Sequence, residues 1–213
     1  MESELDCIKL LGEYRRRETF EVGGHKYVDF LSHGTVLEDC TLISRASSRG
    51  VVFHASVFRR CLIHAKKPFT NFSWHDVILE ACQLKGWFIG NDFGPRPDAY
   101  PDAPWGTASE CDFSQAQLHM CRFFRSDMST HRLPKWPCFT VLEPEQNAAD
   151  WLSIPFPESF RRGEQQLIAE AVNEYRVEGV SAASQHAGEI AKKHRIPIGE
   201  IRALVSGRSY IVL

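Results

Sequence analysis

The chain has 213 residues, 43% hydrophobic and 24% charged, with a formal net charge of −2 at pH 7. This composition is typical of a folded globular protein of one or two domains. The small net charge excludes a global field that would recruit nucleic acid or an acidic membrane. No apolar run approaches the roughly 18 residues of a membrane span, so no membrane partner is expected. The seven cysteines form no CxxC pair and no signal peptide pattern opens the sequence, which favours a cytoplasmic protein with free thiols.

The first 34 residues are predicted to form a cap. Met1–Arg17 has the pattern of a short amphipathic helix with Ile8, Leu10 and Leu11 facing inward. The next stretch, ETFEVGGHKYVDF, predicts two short strands in a hairpin around its Gly-Gly pair. Such a cap would cover strand edges that otherwise recruit other chains.

A five-residue step runs through the middle of the chain. Neither the helical period of 3.6 nor the strand period of 2 produces such a spacing of large apolar residues. The residues two positions before these centres are mostly small or β-branched. The centres are Leu37 and Leu42; Phe53, Phe58 and Ile63; Phe69, Trp74, Leu79, Leu84 and Ile89; and Phe113, Leu118, Phe123 and Met128, a series that extends to Leu133.

This step resembles the repeat of the pentapeptide-repeat family, a small residue, a polar residue and a central Leu or Phe followed by two variable positions. The resemblance covers residues 37–89 and 111–133. It implies a mainly β fold, a right-handed quadrilateral β-helix with one pentapeptide on each face of a coil. We therefore expect the cap at 1–34, a β-helix at 35–140 with a loop insertion at 91–110, and a connector with a C-terminal α-helical region at 141–213. The centres of the series are expected to point inward.

Three cysteines fit this interpretation. Cys40, Cys61 and Cys82 lie 21 residues apart, the length of one coil with a one-residue slip. The apolar centres two residues after each cysteine share this spacing. Each set is expected to stack as an inward column, with the cysteines packed as small hydrophobes. A linear column does not converge on one point as a metal site requires, so neither a metal nor a cofactor is expected.

The segment NDFGPRPDAYPDAPWGTASE, residues 91–110, interrupts the repeat, and its four prolines oppose regular structure. Connections of this length are often functional, and aromatic residues with arginine are typical interface anchors. Two further apolar residues fall on outward slots of the repeat and need a cover, either the C-terminal helices or a partner. The expected partner-binding residues are Arg96, Asp98, Tyr100, Asp102 and Trp105 in the loop, with Met120 and Phe124 on the outward slots.

The last part of the chain, after a connector rich in proline, is predicted to be helical from Phe160 to Gly207. Within it, EIAKKHRIPIGEIRALV resembles a helix-turn-helix, although Arg195 stands where the turn glycine is usual. The second helix offers Arg202 as its one basic residue, and base readout favours Arg, Lys, Asn or Gln there. A helical pair packed on the β-helix end or on a partner is therefore favoured over DNA binding.

No nucleophile–base pair, phosphate loop or supported carboxylate pair stands out in the sequence, so an enzyme is not expected and no catalytic residue is assigned. The first hypothesis is a non-enzymatic protein-binding protein, an immunity or inhibitor protein that neutralises a bacterial toxin by direct binding. A homodimer through a β-helix end or through the C-terminal helices stays open as an additional mode of association.

Two alternatives involve DNA. The resemblance implies a DNA mimic that binds topoisomerase (gyrase), as the quinolone-resistance members of the family do. That function needs an acidic rod, yet residues 51–133 carry nine Lys/Arg against eight Asp/Glu, a difference of +1. The other alternative is a DNA-binding regulator that uses the helix-turn-helix-like segment. Because DNA affinity depends on many basic contacts, a nucleic acid partner is not favoured.

Overall fold

The computed structural model describes residues 6–45, 47–95, 106–170 and 179–213. Over these residues the chain is mainly β and forms a β-solenoid of about four turns, with helices towards the C-terminus, which confirms the predicted fold class. The solenoid strands are β1 (Lys9–Leu11), β2 (Tyr14–Arg16), β3 (Thr19–Val22), β4 (Asp29–Ser32), β5 (Val36–Glu38), β6 (Thr41–Ser44), β7 (Val51–Phe53), β8 (Ser56–Arg59), β9 (Leu62–Thr70), β10 (Val77–Glu80), β11 (Gln83–Ile89), β12 (Asp92–Phe93), β13 (Thr107–Ser109), β14 (Asp112–His119) and β15 (Cys121–Phe124).

Three parallel sheets run along the solenoid. The first joins β1, β4 and β7, the second joins β2, β5, β8, β10 and β13, and the third joins β3, β6, β9, β11 and β14. Neighbouring strands come from successive turns, so each turn satisfies the backbone hydrogen bonds of the next. Residues at equivalent positions therefore stack in columns along the solenoid.

Most of the predicted inward centres form the core, but Ile89, Met128 and Leu133 are only half-buried. Phe88 is fully buried in place of Ile89, which is half-buried. The cause is a register shift between β9 and β11: Gly86 is opposite Ala65, but Phe88 is opposite Phe69. The strand β9 thus has two more residues here than β11, and the five-residue phase changes. The buried centres are Leu37, Leu42, Phe53, Phe58, Ile63, Phe69, Trp74, Leu79, Leu84, Phe113, Leu118 and Phe123.

The predicted cysteine column is confirmed. Cys40, Cys61 and Cys82 are buried at equivalent positions of successive turns, and Cys111 continues the column. The thiols also hydrogen bond between turns, since the Sγ of Cys61 and of Cys82 each donates to a carbonyl of the preceding turn, at 3.3 Å and 3.1 Å. Burial raises the pKa of Cys111 to about 11, so this thiol stays protonated at neutral pH.

The N-terminal segment belongs to the solenoid, which corrects two predictions. The helix predicted for Met1–Arg17 is wrong, because β1 and β2 lie within it. The two strands predicted after it exist as β3 and β4, but they do not form a hairpin with each other. Instead β3 pairs with β6, and β4 pairs with β1 and β7, all in parallel. The predicted boundary between residues 34 and 35 thus lies within a turn of the solenoid.

The five-residue step also covers this first turn, although one of its centres is not apolar. Leu10, Arg15 and Phe20 are five residues apart and lie opposite Leu31, Leu37 and Leu42 of the next turn. The middle centre is an arginine, so the apolar repeat is not visible in the sequence. The Arg15 side chain forms ion pairs with Glu13 at 2.7 Å and with Glu18 at 3.5 Å, at the end of the solenoid.

A C-terminal unit covers the other end. Its sheet has the order β12-β15-β17-β16-β18, in which β17 pairs antiparallel with β15 of the solenoid and with β16. The predicted boundary between residues 140 and 141 lies inside β16. The elements are β16 (Cys138–Leu142), α1 (Ala148–Ser153), α2 (Glu158–Phe160), a π-helical turn (Arg161–Gln165), α3 (Gln166–Glu170), β17 (Val180–His186), α4 (Ala187–His194), α5 (Ile198–Val205) and β18 (Ile211–Val212).

Helices α3–α5 lie within the segment predicted to be helical, of which residues 171–178 lie outside the described residues. The helix predicted over Val180–His186 is wrong, because that segment is the strand β17. Both faces of β17 are buried: Ala182 lies in the solenoid core, and Ala183 lies in a second core beneath the helices. Small side chains suit this position between two layers, whereas alanine alone would favour a helix. Tertiary pairing on both edges of the strand decides its conformation.

Two buried histidines lie where β17 meets the last solenoid turn. The Nδ1 of His119 accepts the backbone N–H of His186 at 3.5 Å, and the Nδ1 of His186 accepts the N–H of Glu189 at 3.3 Å, which caps α4. Burial lowers the pKa of both rings. These hydrogen bonds require an unprotonated Nδ1 on each ring, so the junction depends on two neutral imidazoles.

Candidate protein-binding surface

The predicted loop interface lies outside the described residues. Arg96, Asp98, Tyr100, Asp102 and Trp105 all belong to the segment 96–105, so their role stays a prediction. The structure does place the other two predicted contact residues, which lie at the start and the end of β15.

Met120 and Phe124 differ sharply in accessibility. Met120 occupies a corner with a φ of +53° and is 39% exposed, as its outward slot predicts. Phe124 is fully buried, so its predicted role as an accessible partner contact is wrong. It packs against Val180 of β17, and the guanidinium carbon of Arg122 lies 5.3 Å from its ring centroid. The cover that an outward Phe124 needs is therefore a strand of the same chain.

Exposed large apolar side chains concentrate in the first turns of the solenoid. Of nine such side chains among the described residues, five lie between residues 11 and 52. Four of these belong to the first parallel sheet and the corner that precedes β4. We call this set the N-terminal apolar strip; it consists of Leu11, Tyr27, Phe30 and Val52.

The strip follows from strand alternation. Phe30 and Val52 are opposite each other on β4 and β7, and the inward residues beside them are buried. Neighbouring strands lie about 4.8 Å apart, so these two side chains are adjacent. Lys9 is opposite Phe30 on β1, and Leu11, two residues further on, has the same outward direction. The result is an apolar surface on three successive turns with the Lys9 ammonium group at its edge.

Tyr27 extends the strip at the corner. Its backbone N–H donates to the Asp6 carbonyl at 3.2 Å, which fixes the corner to the first turn. The Lys26 ammonium lies 5.4 Å from the Tyr27 ring centroid, a cation–π distance. The strip thus combines aromatic and aliphatic groups with a basic margin.

The equivalent outward positions become polar further along the solenoid. There Asp92 and Arg122 are opposite each other on β12 and β15. They form a two-pronged ion pair, with guanidinium nitrogens 2.8 Å and 2.7 Å from the carboxylate oxygens. The apolar character is therefore a local property of the first turns and not of the whole face.

A rigid network of ion pairs lies beside the strip, around the exposed Tyr14. The hydroxyl of Tyr14 donates to Glu38 at 3.1 Å, and Arg60 pairs with Glu38 and with Asp39 at 2.5 Å and 2.8 Å. The hydrogen bond from Tyr14, and then those from Arg60, lower the pKa of Glu38 against the effect of desolvation. Because arginine neutralises these carboxylates, this corner does not resemble the phosphate array of a duplex.

The free strand edges of the first turn are less suited to binding a partner than the N-terminal apolar strip is. Each of β1, β2 and β3 is the last strand of its sheet among the described residues. Arg15, however, occupies the inward position of β2, and its charged side chain forms ion pairs with Glu13 and Glu18. Inward charges on edge strands oppose the addition of another strand. Side-chain contact with the strip is therefore the more favourable mode of binding at this end.

The helix-turn-helix-like pair packs within its own unit. Arg195 has a φ of +56° in the turn where glycine is usual, and Ile190 and Ile201 are buried in the C-terminal core. The Arg202 guanidinium carbon lies 5.5 Å from the ring centroid of Trp136. The pair therefore packs against the sheet of its own C-terminal unit, whereas the sequence predicted packing on the β-helix end or on a partner.

Within the part of the chain that the structure describes, no group of three or more His, Cys, Asp or Glu side chains could hold a metal ion. No helix in the same part is long and apolar enough to cross a membrane. No protein-family model, no curated protein and no solved structure matches the chain. The resemblance to pentapeptide-repeat proteins therefore depends on the five-residue step and on the solenoid.

Sequence reasoning missed the N-terminal apolar strip for an identifiable reason. The strip occupies outward positions of turns that were expected to be a helix and a hairpin. The signal that could have found it is the spacing of Leu10, Arg15 and Phe20, which would have assigned Leu11 and Phe30 to a β-solenoid surface.

Proposed function

We propose that the protein is a pentapeptide-repeat protein that acts by binding another protein, and that it is an immunity or inhibitor protein for a bacterial toxin. The observation that supports this function is the N-terminal apolar strip. Contiguous exposed apolar groups with a polar margin are typical of protein interfaces. The rod holds them on stacked strands, so little side-chain and backbone freedom is lost on binding.

The competing functions find less support in the described residues. A topoisomerase-binding DNA mimic needs unpaired carboxylates, yet Glu38, Asp39 and Glu80 each pair with an arginine. A DNA-binding regulator needs several basic side chains on its recognition helix, and α5 carries Arg202 alone. An apolar strip serves neither purpose.

The test uses the product of the reading frame adjacent to this gene, purified and titrated against the protein by calorimetry. We expect a one-to-one complex, and we expect Phe30→Ala to weaken it about 30-fold or more, since truncation of an interface anchor costs roughly 2 kcal/mol. Leu152→Ala is the matched control, because Leu152 is also a large exposed apolar residue, at 46% against 37% for Phe30, but lies in α1 of the C-terminal unit.

Growth of bacteria that express the toxin provides the functional readout. The wild-type protein and Leu152→Ala should restore growth, and Phe30→Ala should fail to do so at the same expression level and melting temperature. Full affinity and full rescue by Phe30→Ala would contradict the assignment of the strip. Absence of any complex with the neighbouring product would contradict the immunity role.

A further inference from the structure

A serine, a histidine and a glutamate form a hydrogen-bonded relay in the C-terminal unit. Ser159 lies in α2, Glu164 in the π-helical turn and His194 at the end of α4. The Ser159 Oγ is 3.2 Å from His194 Nδ1, and His194 Nε2 is 3.1 Å from Glu164 Oε1. Both ring nitrogens are thus engaged, one by a hydroxyl and the other by a carboxylate.

Accessibility differs along the relay in the way that a nucleophile and its base require. Glu164 is 3% exposed, and the side chain of His194 is 7% exposed. Ser159 itself is exposed. The ring of Phe160 packs edge-on against the His194 imidazole, with centroids 5.4 Å apart, and helps to shield it. A molecule in solution can therefore reach the hydroxyl and the Nδ1 beside it, while the rest of the imidazole is shielded by protein.

The geometry also fixes the tautomer of His194. An ionised carboxylate only accepts hydrogen bonds, so Nε2 carries the hydrogen that points at Glu164. Nδ1 then presents its lone pair to the Ser159 hydroxyl, the arrangement in which a histidine acts as a general base. Lys193 contributes to this state, because its Nζ lies 2.6 Å from the same Oε1.

Lys193 also keeps the glutamate charged. Burial disfavours the ionised form of Glu164, but the hydrogen bonds from Lys193 and His194 outweigh it, and the net effect lowers the pKa of this carboxyl. The lysine supplies the positive charge that balances the carboxylate. With Lys193 beside it, the carboxylate does not depend on His194 for a balancing charge.

The π-helical turn Arg161–Gln165 builds the relay. Such a turn brings residues five apart onto one face, so Ser159 and Glu164 both face α4. Gln165 fixes the turn to α1, because its Nε2 donates to the carbonyls of Trp151 and Ile154 at 2.6 Å and 3.1 Å. Single π-helical turns are frequent at functional sites.

A second feature of Glu164 is not explained by stability. Its Oε2 is buried and has no hydrogen-bond partner among the described residues. A buried acceptor without a partner costs about 1–3 kcal/mol, and more when it is charged. A side chain that served only to join α2 to α4 would be replaced at little cost by glutamine or by an apolar residue. A buried carboxylate at this position suits a role in which its charge orients His194.

We propose that Ser159 is an activated nucleophile that takes acyl groups from small carboxylic esters, with His194 as its general base and Glu164 as the residue that positions His194. This activity is independent of the proposed protein-binding function, which uses the opposite end of the molecule.

The steps are those of ester hydrolysis through an acyl-serine. The Ser159 Oγ forms a bond to the acyl carbon, and its proton passes to His194 Nδ1. The bond between the acyl carbon and the alcohol oxygen breaks, and the alcohol leaves with that proton. A water molecule then attacks the acyl-serine and gives a proton to Nδ1. The carboxylic acid departs, and the same proton returns to the Ser159 Oγ.

The first test is covalent labelling of the purified full-length protein with an alkyl fluorophosphonate, in which the serine oxygen displaces fluoride. We expect one adduct, located by mass spectrometry on Ser159. Ser159→Ala should abolish it, and His194→Gln should slow labelling at least about 100-fold, the contribution of a general base. Glu164→Gln should slow labelling at an unchanged melting temperature, an effect that a purely structural role would not produce.

The matched control is Ser153→Ala. Ser153 is also exposed and lies nearby in sequence, but its hydroxyl donates to the Asp150 carbonyl at 2.7 Å instead of facing an imidazole. This variant should label at the wild-type rate. Hydrolysis of 4-nitrophenyl acetate by the same proteins gives the second readout, with the same order of variants.

The proposal is overturned if the folded protein gives no adduct on Ser159. It is equally overturned if urea-unfolded protein labels as fast as folded protein, or if Ser159→Ala hydrolyses the ester at the wild-type rate. Unchanged labelling of a folded His194→Gln variant would remove the general base. If that variant does not fold, the comparison of Ser159→Ala with Ser153→Ala still decides the matter.

Discussion

Replacement of Phe124 by alanine should destabilise the protein strongly and leave partner binding intact. The ring is fully buried between β15 and β17, opposite Val180. Truncation of a buried phenylalanine costs about 3–5 kcal/mol, and more where the site cannot collapse.

We take the lower end of that range, since the buried cluster of Phe124 and Val180 is small among the described residues. A loss of about 3 kcal/mol is a substantial share of the 5–15 kcal/mol that stabilise a typical domain. For a chain of this size, each kcal/mol lowers the melting temperature by about 2–4 °C, so a decrease of about 6–12 °C is expected. Thermal and urea unfolding followed by circular dichroism would measure it.

Met120→Ala is the control, since its side chain is 39% exposed and should change the stability by no more than about 1 kcal/mol. Hydrogen exchange at the amides of β17 adds a local readout, because loss of the ring should speed exchange there first. A Phe124→Ala variant with the wild-type melting temperature but no partner binding would refute the reasoning. It would mean that a partner, and not β17, covers the ring.

Four further predictions concern the core, the junction, the cysteines and nucleic acid. Leu84→Asp should yield no cooperatively folded protein by circular dichroism, because an unpaired buried charge costs several kcal/mol; a cooperative transition near that of the wild type would contradict the core assignment. The folded-state pKa values of His119 and His186 are lowered, so the unfolded chain binds more protons, and the urea midpoint should fall as the pH drops below about 6.5; a flat midpoint between pH 7.5 and 5, in wild type and His186→Gln alike, would be the adverse result. Chelator should leave the melting temperature unchanged, whereas stoichiometric zinc that is lost in Cys82→Ser would show a metal site. Duplex DNA should bind weakly and without sequence preference at physiological salt, and a specific nanomolar site abolished by Arg202→Ala would revive the DNA-binding alternative.

The core of the solenoid could be predicted from the sequence because its signal is apolar and periodic. Trp74, Leu79 and Leu84 are buried as their five-residue spacing requires. The prediction was wrong at Ile89. The extra residues that shift the five-residue phase lie one turn earlier, in β9, and none of them is a large apolar residue that would mark the shift in the sequence. Register between turns is a property of two segments together, and a single segment does not reveal it.

The two ends were harder to predict for different reasons. At the N-terminal end a charged residue, Arg15, occupies a core position, so the local pattern resembles an amphipathic helix. At the C-terminal end Val180–His186 is a strand because it has a partner on each edge, β15 and β16, which come from distant parts of the sequence. The candidate site followed these errors: Phe124 was assigned to the surface because β17 was not recognised.

The position of Arg15 also limits how this solenoid could have grown. Repeat proteins lengthen by duplication of their units, and a new turn must stack its core on the turn before it. A turn added before residue 9 would bury Arg15 together with Glu13 and Glu18, and removal of water from an ion pair costs several kcal/mol for each ion. The inward columns also hold the buried Asp29 of β4, whose carboxylate accepts the N–H groups of Ile8 and Gly23, so duplication is easier in the turns that follow β4. The number of turns can therefore change in the middle of the rod. The turn that contains Arg15 and Leu11 would remain at the end of the solenoid.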